Sequence, residues 1–362
     1  MFTELAATPA TLESIKVVDV MAMQPGWLAE DADADMAYTQ SVYKGPPLWL
    51  RLPKLLQPIA WKDLFWDPVT LLLMNLYGHP TAGNTWGDDC HGRLVKCNFY
   101  LVCEEFPGLY MHRTFVHIVL VLYVDDFRMA GTREHLDKCW ALIGGCITID
   151  RPVPAIRMLG TNTREFTLSA STITSNHKGN IRLKQWEVRD FMVQCISKYR
   201  EVAGLKPDRV LPRVGTPFLN DTCFSDSDFA TPGLLADTAI QVLMKILYGA
   251  RSARWDLLKI CTFLSGFVSK WTIAHDRMIY RMVCWISSSL DYALYAEVGD
   301  LASEWTLGLW TDSDLASCIF TKRSTSGVII AISGPNTFAP IGASAQKAPG
   351  ATAESTPSAE LV

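Results

Sequence analysis

Apolar and polar positions alternate along this chain with a period that changes from one stretch to the next. Residues 8–23, TPATLESIKVVDVMAM, set Leu12, Ile15, Val18 and Met21 at helical spacing behind a Thr-Pro start, which predicts a helix. After the Pro25-Gly26 break, WLAEDADADMAYTQ reads as a strand, and its period of two puts Asp31, Asp33 and Asp35 on one face. Residues 66–86 read as an apolar helix or strand entering a turn rich in Gly and Pro, and residues 97–131 as two or three strands ending in a hairpin. That hairpin, HIVLVLYVDDFRMAG (117–131), drives an apolar run from Ile118 to Val124 straight into two adjacent carboxylates, Asp125 and Asp126. Beyond it the pattern predicts amphipathic helices over 133–145 and 184–203 and a linker over 212–233. Two or three helices follow over 236–296, broken near Asp276, and then three short strands over 305–347.

Composition narrows the class. With 362 residues, 49% of them hydrophobic, the chain can build one large domain or two to three ordinary ones. Its apolar runs fall far short of the ~20 residues that span a bilayer, and no basic-then-apolar leader opens it, so an intracellular protein without membrane contact is expected. The ten cysteines show neither a C-x-x-C pair nor zinc-finger spacing, which points to free thiols in a reducing compartment. A net charge of -4 excludes coating nucleic acid by bulk electrostatics, so any such role rests on a local groove. Between Arg151 and Arg213 basic residues outnumber acidic ones, as suits either a phosphate-facing surface or a solvated helix face.

Three carboxylates on neighbouring strands repel one another unless water or a cation stands before them. A hairpin turn holding Asp125 and Asp126, beside a strand bearing Asp33, is the arrangement that two-metal phosphoryl transfer needs. Hard oxygen ligands select Mg2+, with Mn2+ as the substitute. On the residues alone, Asp-Asp after an apolar strand is more commonly a solvated turn or a helix cap, and the alternating aspartates a strand edge facing water.

Longer patterns bear on that choice. YVDD with its apolar lead-in and Ala-Gly step resembles motif C of reverse transcriptases, in the form found in copia-type retrotransposons. DADMAYTQS resembles their motif A, whose spacing selects Asp33 as the catalytic carboxylate, with Ala37 and Tyr38 four and five residues later. LYGHPTAGNTW is similar to the family's LYGLKQAPRAW, matching Leu76, Tyr77, Gly78 and Trp86 but placing Thr81 where the family has a nucleotide-contacting Gln. MLG at 158–160, VGTP at 214–217 and ILYGARSARWDLLKICTFLSGFVSKWTIAH at 246–275 follow the family's later segments in order. LWTDSDLASCIFTKRSTSGVIIAISG resembles the start of its RNase H domain, with Asp312 as the first catalytic carboxylate and Glu360, in SAEL, as the second.

The resemblance implies an α+β protein: a polymerase palm with an antiparallel sheet and packed helices over 1–160, a thumb-like region and linker over 161–233, a helical connection over 234–300, and a truncated, mixed RNase H-like sheet over 301–362. It implies RNA-directed DNA synthesis from a retrotransposon polyprotein fragment, on an RNA or DNA template-primer with deoxynucleoside triphosphates. Two Mg2+ ions would sit on Asp33, Asp125 and Asp126, and Tyr38 would gate the sugar. The fingers strands and the remaining RNase H carboxylates are missing from the pattern, so a partner supplying those segments is expected and ribonuclease activity is not. Two readings of other classes stand beside this one: an inactive relic that at most binds nucleic acid, and an unrelated α+β protein whose carboxylates are structural.

Overall fold

A computed structural model describes residues 9–61, 64–168, 181–219, 223–315, 323–347 and 355. The chain divides into two compact units, Met1–Ala155 and Ile156–Val362. Both mix helices with antiparallel sheets, which makes the class α+β.

The first unit opens with helix α1 (Leu12–Met21), started by Thr11, whose hydroxyl accepts the Ser14 N–H at 3.1 Å. Strand β1 (Trp27–Asp33) follows, then the small hairpin β2 (Trp49–Arg51) and β3 (Val69–Leu71). Helix α2 (Ala82–Lys96), strands β4 (Phe99–Leu101), β5 (Leu109–His112), β6 (Ile118–Tyr123) and β7 (Asp126–Thr132), helix α3 (Arg133–Gly144) and β8 (Val153–Pro154) complete the unit. Six strands form its main sheet in the order β4-β5-β6-β7-β1-β8. Trp86, Cys90 and Leu94 of α2 and Leu136, Cys139, Trp140 and Ile143 of α3 recur at helical spacing. They pack on one sheet face, against Ala32, Leu120, Leu122, Phe127 and Met129. α1 packs against β1, β6 and β7.

The second unit begins with the hairpin β9 (Arg157–Met158) and β10 (Thr161–Leu168), then β11 (Ile181–Glu187), α4 (Arg189–Val202) and the short α5 (Asp226–Ala230). Helices α6 (Ala239–Ser252), α7 (Leu258–Ser265) and α8 (Ile273–Ser288) precede β12 (Leu294–Val298), β13 (Thr306–Ser313), β14 (Thr325–Gly334) and β15 (Thr337–Lys347). One seven-stranded sheet, β13-β14-β15-β12-β11-β10-β9, therefore collects strands from all three segments that the sequence separated at 233 and 300. Two stretches distant in the sequence meet here. The MLG stretch makes the β9-β10 turn, with Leu159 and Gly160 at φ of 48° and 75°. The Leu159 carbonyl accepts from the Tyr248 hydroxyl of the ILYG stretch at 2.7 Å.

Several local expectations change. β1 stops at Asp33, and Asp35 lies in a turn, so only Asp31 and Asp33 share a strand face. Residues 66–81 form the three-residue β3 and irregular chain rather than a long element; Pro68 and Pro80 each lack the N–H that a helix or strand would use. Four strands, not two or three, occupy 97–132. The expected helix over 184–203 begins only at Arg189, because 181–187 pairs with β10 and β12. Asp276 does not break the 236–296 helices. It sits in the first turn of α8 and accepts from the Leu234 and Leu235 amides and the Trp271 indole. The strands expected over 305–347 are present, but every described pairing among them is antiparallel, not mixed.

Candidate active site

β6 and β7 are joined by Val124 and Asp125 alone, with Tyr123 opposite Asp126. So tight a turn needs unusual backbone, and Val124 has φ of 59°, a region that β-branched residues avoid. Such strain, about 1–3 kcal/mol, persists only where neighbours over-determine it. Two do so here. The Trp86 indole, rooted in the α2 core, donates to the Val124 carbonyl at 2.7 Å, and the Ala34 amide donates to the Asp125 carbonyl at 2.9 Å. The Ala-Gly step of β7 has a steric reason as well, since a Cβ on Gly131 would stand 2.5 Å from the His117 carbonyl.

Register then assembles the carboxylates. β1 and β7 run antiparallel with Asp33 opposite Asp126 and Asp31 opposite Arg128, so all four side chains emerge on one face. Arg128 is fully buried and bound on both sides: Nε and Nη2 donate to Asp31 at 2.7 and 2.8 Å, and Nη1 to Asp19 of α1 at 2.9 Å. One rung further, at the end of the sheet, Asp33 and Asp126 face each other, with Asp125 in the adjoining β6–β7 turn. Asp150, which the sequence did not single out, adds a fourth acid; its amide donates to the Asp33 carbonyl at 2.8 Å.

Ionisation reflects this crowding. Burial first, then the charges of Asp125, Asp33 and Asp31, push the Asp126 carboxyl up to about 6, against a smaller opposing pull from Arg128. Burial and the charges of Asp125, Asp150 and Asp35 raise Asp33 as well, although its own hydrogen bond from Ala34 works the other way. Among the described residues no three Asp, Glu, His or Cys side chains close into a ready-made metal cage. The donor chemistry nonetheless suits a hard divalent cation: oxygen ligands only, gathered at one sheet end and, among the described residues, without a direct ion pair. Asp33, Asp125 and Asp126 are the residues that would hold it.

Tyr38 belongs to the same neighbourhood. Burial and the Asp125 charge raise its phenol pKa, and its ring lies 4.6 Å from that of Tyr77, centroid to centroid. Thr81 stands at the N-terminal end of α2 without capping it through its side chain, and its hydroxyl is engaged 3.0 Å from the His79 ring nitrogen. Asp312 lies in the other unit, exposed on β13 opposite Gly327 and lining an apolar cleft with Trp255, Lys259 and Trp310. Its neighbour Asp314 is bound by Lys259 at 2.9 Å and by the Thr325 amide at 2.7 Å. Glu360 lies outside the described residues.

Of the basic residues over 151–213, Arg182 and Lys184 both pair with Glu165, Arg189 with Asp291 and Lys198 with Glu201. Part of that local charge is therefore compensated within the unit. Among the described residues no helix is long and apolar enough to cross a membrane. Neither a search against protein-family models nor a search of curated proteins finds a match for this chain.

Proposed function

We propose that the first unit is the palm of an RNA-directed DNA polymerase of the copia type, catalysing nucleotidyl transfer with two divalent cations. The observation that carries the reading is the register: Asp33 faces Asp126 across β1 and β7 while the Ala34 amide ties Asp125 to the same sheet end. Those are the three carboxylates the motif spacing selects.

Asp33, Asp125 and Asp126 would hold the cations, with the strained Val124 turn fixing Asp125 against rotation. When bound, the cations neutralise charge on the attacking and leaving oxygens of the phosphoryl transfer. Tyr38, backed by Tyr77, forms an aromatic wall beside Asp125, suited to exclude a 2′-hydroxyl. Asp126 must lose its proton to serve as a ligand, and burial and the neighbouring acids hold that proton more tightly than a free carboxyl does, so activity falls toward acid pH.

Primer extension on the purified chain, with an RNA or DNA template and Mg2+ or Mn2+, tests the reading. Incorporation that vanishes in Asp125→Asn supports it. A folded chain that incorporates nothing, yet retains template, supports the inactive reading instead. One observation favours that alternative: Thr81, in place of the family's Gln, already spends its hydroxyl on His79. Titration calorimetry with Mg2+ separates both from a purely structural role, in which no saturable divalent site exists.

A further inference from the structure

Two cysteines outside the carboxylate cluster approach each other more closely than unbonded sulfurs ordinarily rest. Cys97 caps the end of α2, Cys146 follows the end of α3, and their Sγ atoms stand 3.0 Å apart. Each thiol also has a carbonyl of the last turn of α3 to donate to, Leu142 for Cys97 and Ile143 for Cys146, both at 3.3 Å. With both S–H groups so directed, sulfur lone pairs face each other across the gap, and about 1 Å of approach would reach the S–S bond length. Cys97 is 8% exposed and Cys146 is more open to solvent.

We infer that Cys97 and Cys146 are a reversible disulfide site that staples α2 to α3 when the chain meets a glutathione-type disulfide. The Cys146 thiolate attacks one sulfur of the reagent, whose S–S bond breaks; the departing thiolate takes up a proton. The Cys97 thiol then gives up its proton and attacks Cys146 Sγ, releasing the second reagent thiol. Two cysteine thiols are oxidised and one small disulfide is reduced to two thiols. Burial and the neighbouring sulfur of Cys146 raise the Cys97 thiol, so the more accessible Cys146 reacts first and Cys97 resolves.

The staple has a structural reach. Arg93 donates to the Cys146 carbonyl at 3.0 Å and to the Gln40 carbonyl at 2.6 Å, and the Gln40 side chain binds both the amide and the carbonyl of Thr148. Two residues on, the Asp150 amide reaches the Asp33 carbonyl. Oxidation therefore tightens the strip that borders the carboxylate cluster, whatever that cluster does.

The test incubates the native full chain with glutathione disulfide, alkylates the remaining thiols and maps proteolytic peptides by mass. The expected result is two fewer alkylated cysteines of the ten, a peptide link between 97 and 146, and reversal by dithiothreitol. Cys97→Ser should stop at a mixed disulfide on Cys146, and Cys146→Ser should leave Cys97 free. The proposal is overturned if the native chain keeps both thiols alkylatable, if Cys146 carries glutathione with no link to Cys97, or if links fall on the buried Cys90 or Cys139. Hydrogen exchange gives a second reading: slower exchange of the Thr148 and Asp150 amides after oxidation is expected, and unchanged exchange removes the claim of reach.

Discussion

Two rungs of the same pair of strands, two residues apart, handle charge in opposite ways. At the inner rung Arg128 faces Asp31 and is also held by Asp19, so a buried cation sits between two anions. At the outer rung Asp33 faces Asp126 with nothing positive between them, and Asp125 and Asp150 crowd the same end. The first arrangement is complete and ties α1 to the sheet. The second is incomplete by design of the register: its repulsion is tolerable only because the sheet end opens to water and, on the proposed reading, to a cation. Proximity of acids is common to both rungs; what distinguishes the outer one is that, among the described residues, no ion pair neutralises it.

Substitutions can widen or erase that contrast. The largest effect is expected from Arg128→Met, which strands Asp19 and Asp31 without their cation inside the fold. A loss of about 3–5 kcal/mol, read by denaturant unfolding, is the expected scale, and a loss under 1 kcal/mol would mean the inner rung is not a buried ion triad. Trp86→Phe keeps the core ring but removes the indole N–H from the Val124 carbonyl. It should cost about 1–3 kcal/mol and, if the turn relaxes, weaken divalent binding as well.

The outer rung should respond with the opposite sign. Asp126→Asn removes repulsion, so at pH 7 it should stabilise by about 1 kcal/mol, allowing for partial exposure, or about 2–4 °C in Tm. The sign with pH follows from the raised folded-state value. Below the unfolded value of 3.8 both states carry the proton and the penalty is absent; between there and about 6 the folded state holds its proton more tightly, so stability falls as pH rises. Thermal melts of the native chain and Asp126→Asn should therefore converge near pH 4 and separate by pH 7, and parallel curves would refute the shift. Mg2+ should raise the native Tm more at pH 7.5 than at pH 5. The smallest effect belongs to Asp312→Asn: with its carboxylate exposed on β13, stability should move by no more than about 0.5 kcal/mol.

Local pattern carried the sequence reading where the signal was local. The YVDD hairpin, the helix behind Thr11 and the strands of 305–347 all have a period or a turn that short-range chemistry dictates. The resemblance singled out Asp33 from Asp31 and Asp35 as an expectation; the register sets Asp33 opposite Asp126 and Asp31 opposite Arg128. What stayed hidden depends on distance along the chain. Arg128 looked like one polar position in a strand, and Asp19 like one in a helix; their pairing spans 109 residues. The single sheet joining β9–β12 to β13–β15 left no mark in the pattern, because strand order is settled by packing across helices rather than by neighbours in sequence. Asp150 was missed because a lone acid after a helix is ordinary until its amide is seen to reach Asp33.

The bend at Val124 also limits what can be separated from what. A hairpin whose turn is held in an unfavourable backbone state by an indole from a helix 38 residues earlier is not a portable part. Lifted out as a peptide, or grafted onto another sheet without α2, residues 115–132 would relax at Val124 and swing Asp125 away from Asp126. The smallest piece of this chain that can keep its carboxylates in register therefore includes the helix that holds the turn beside them.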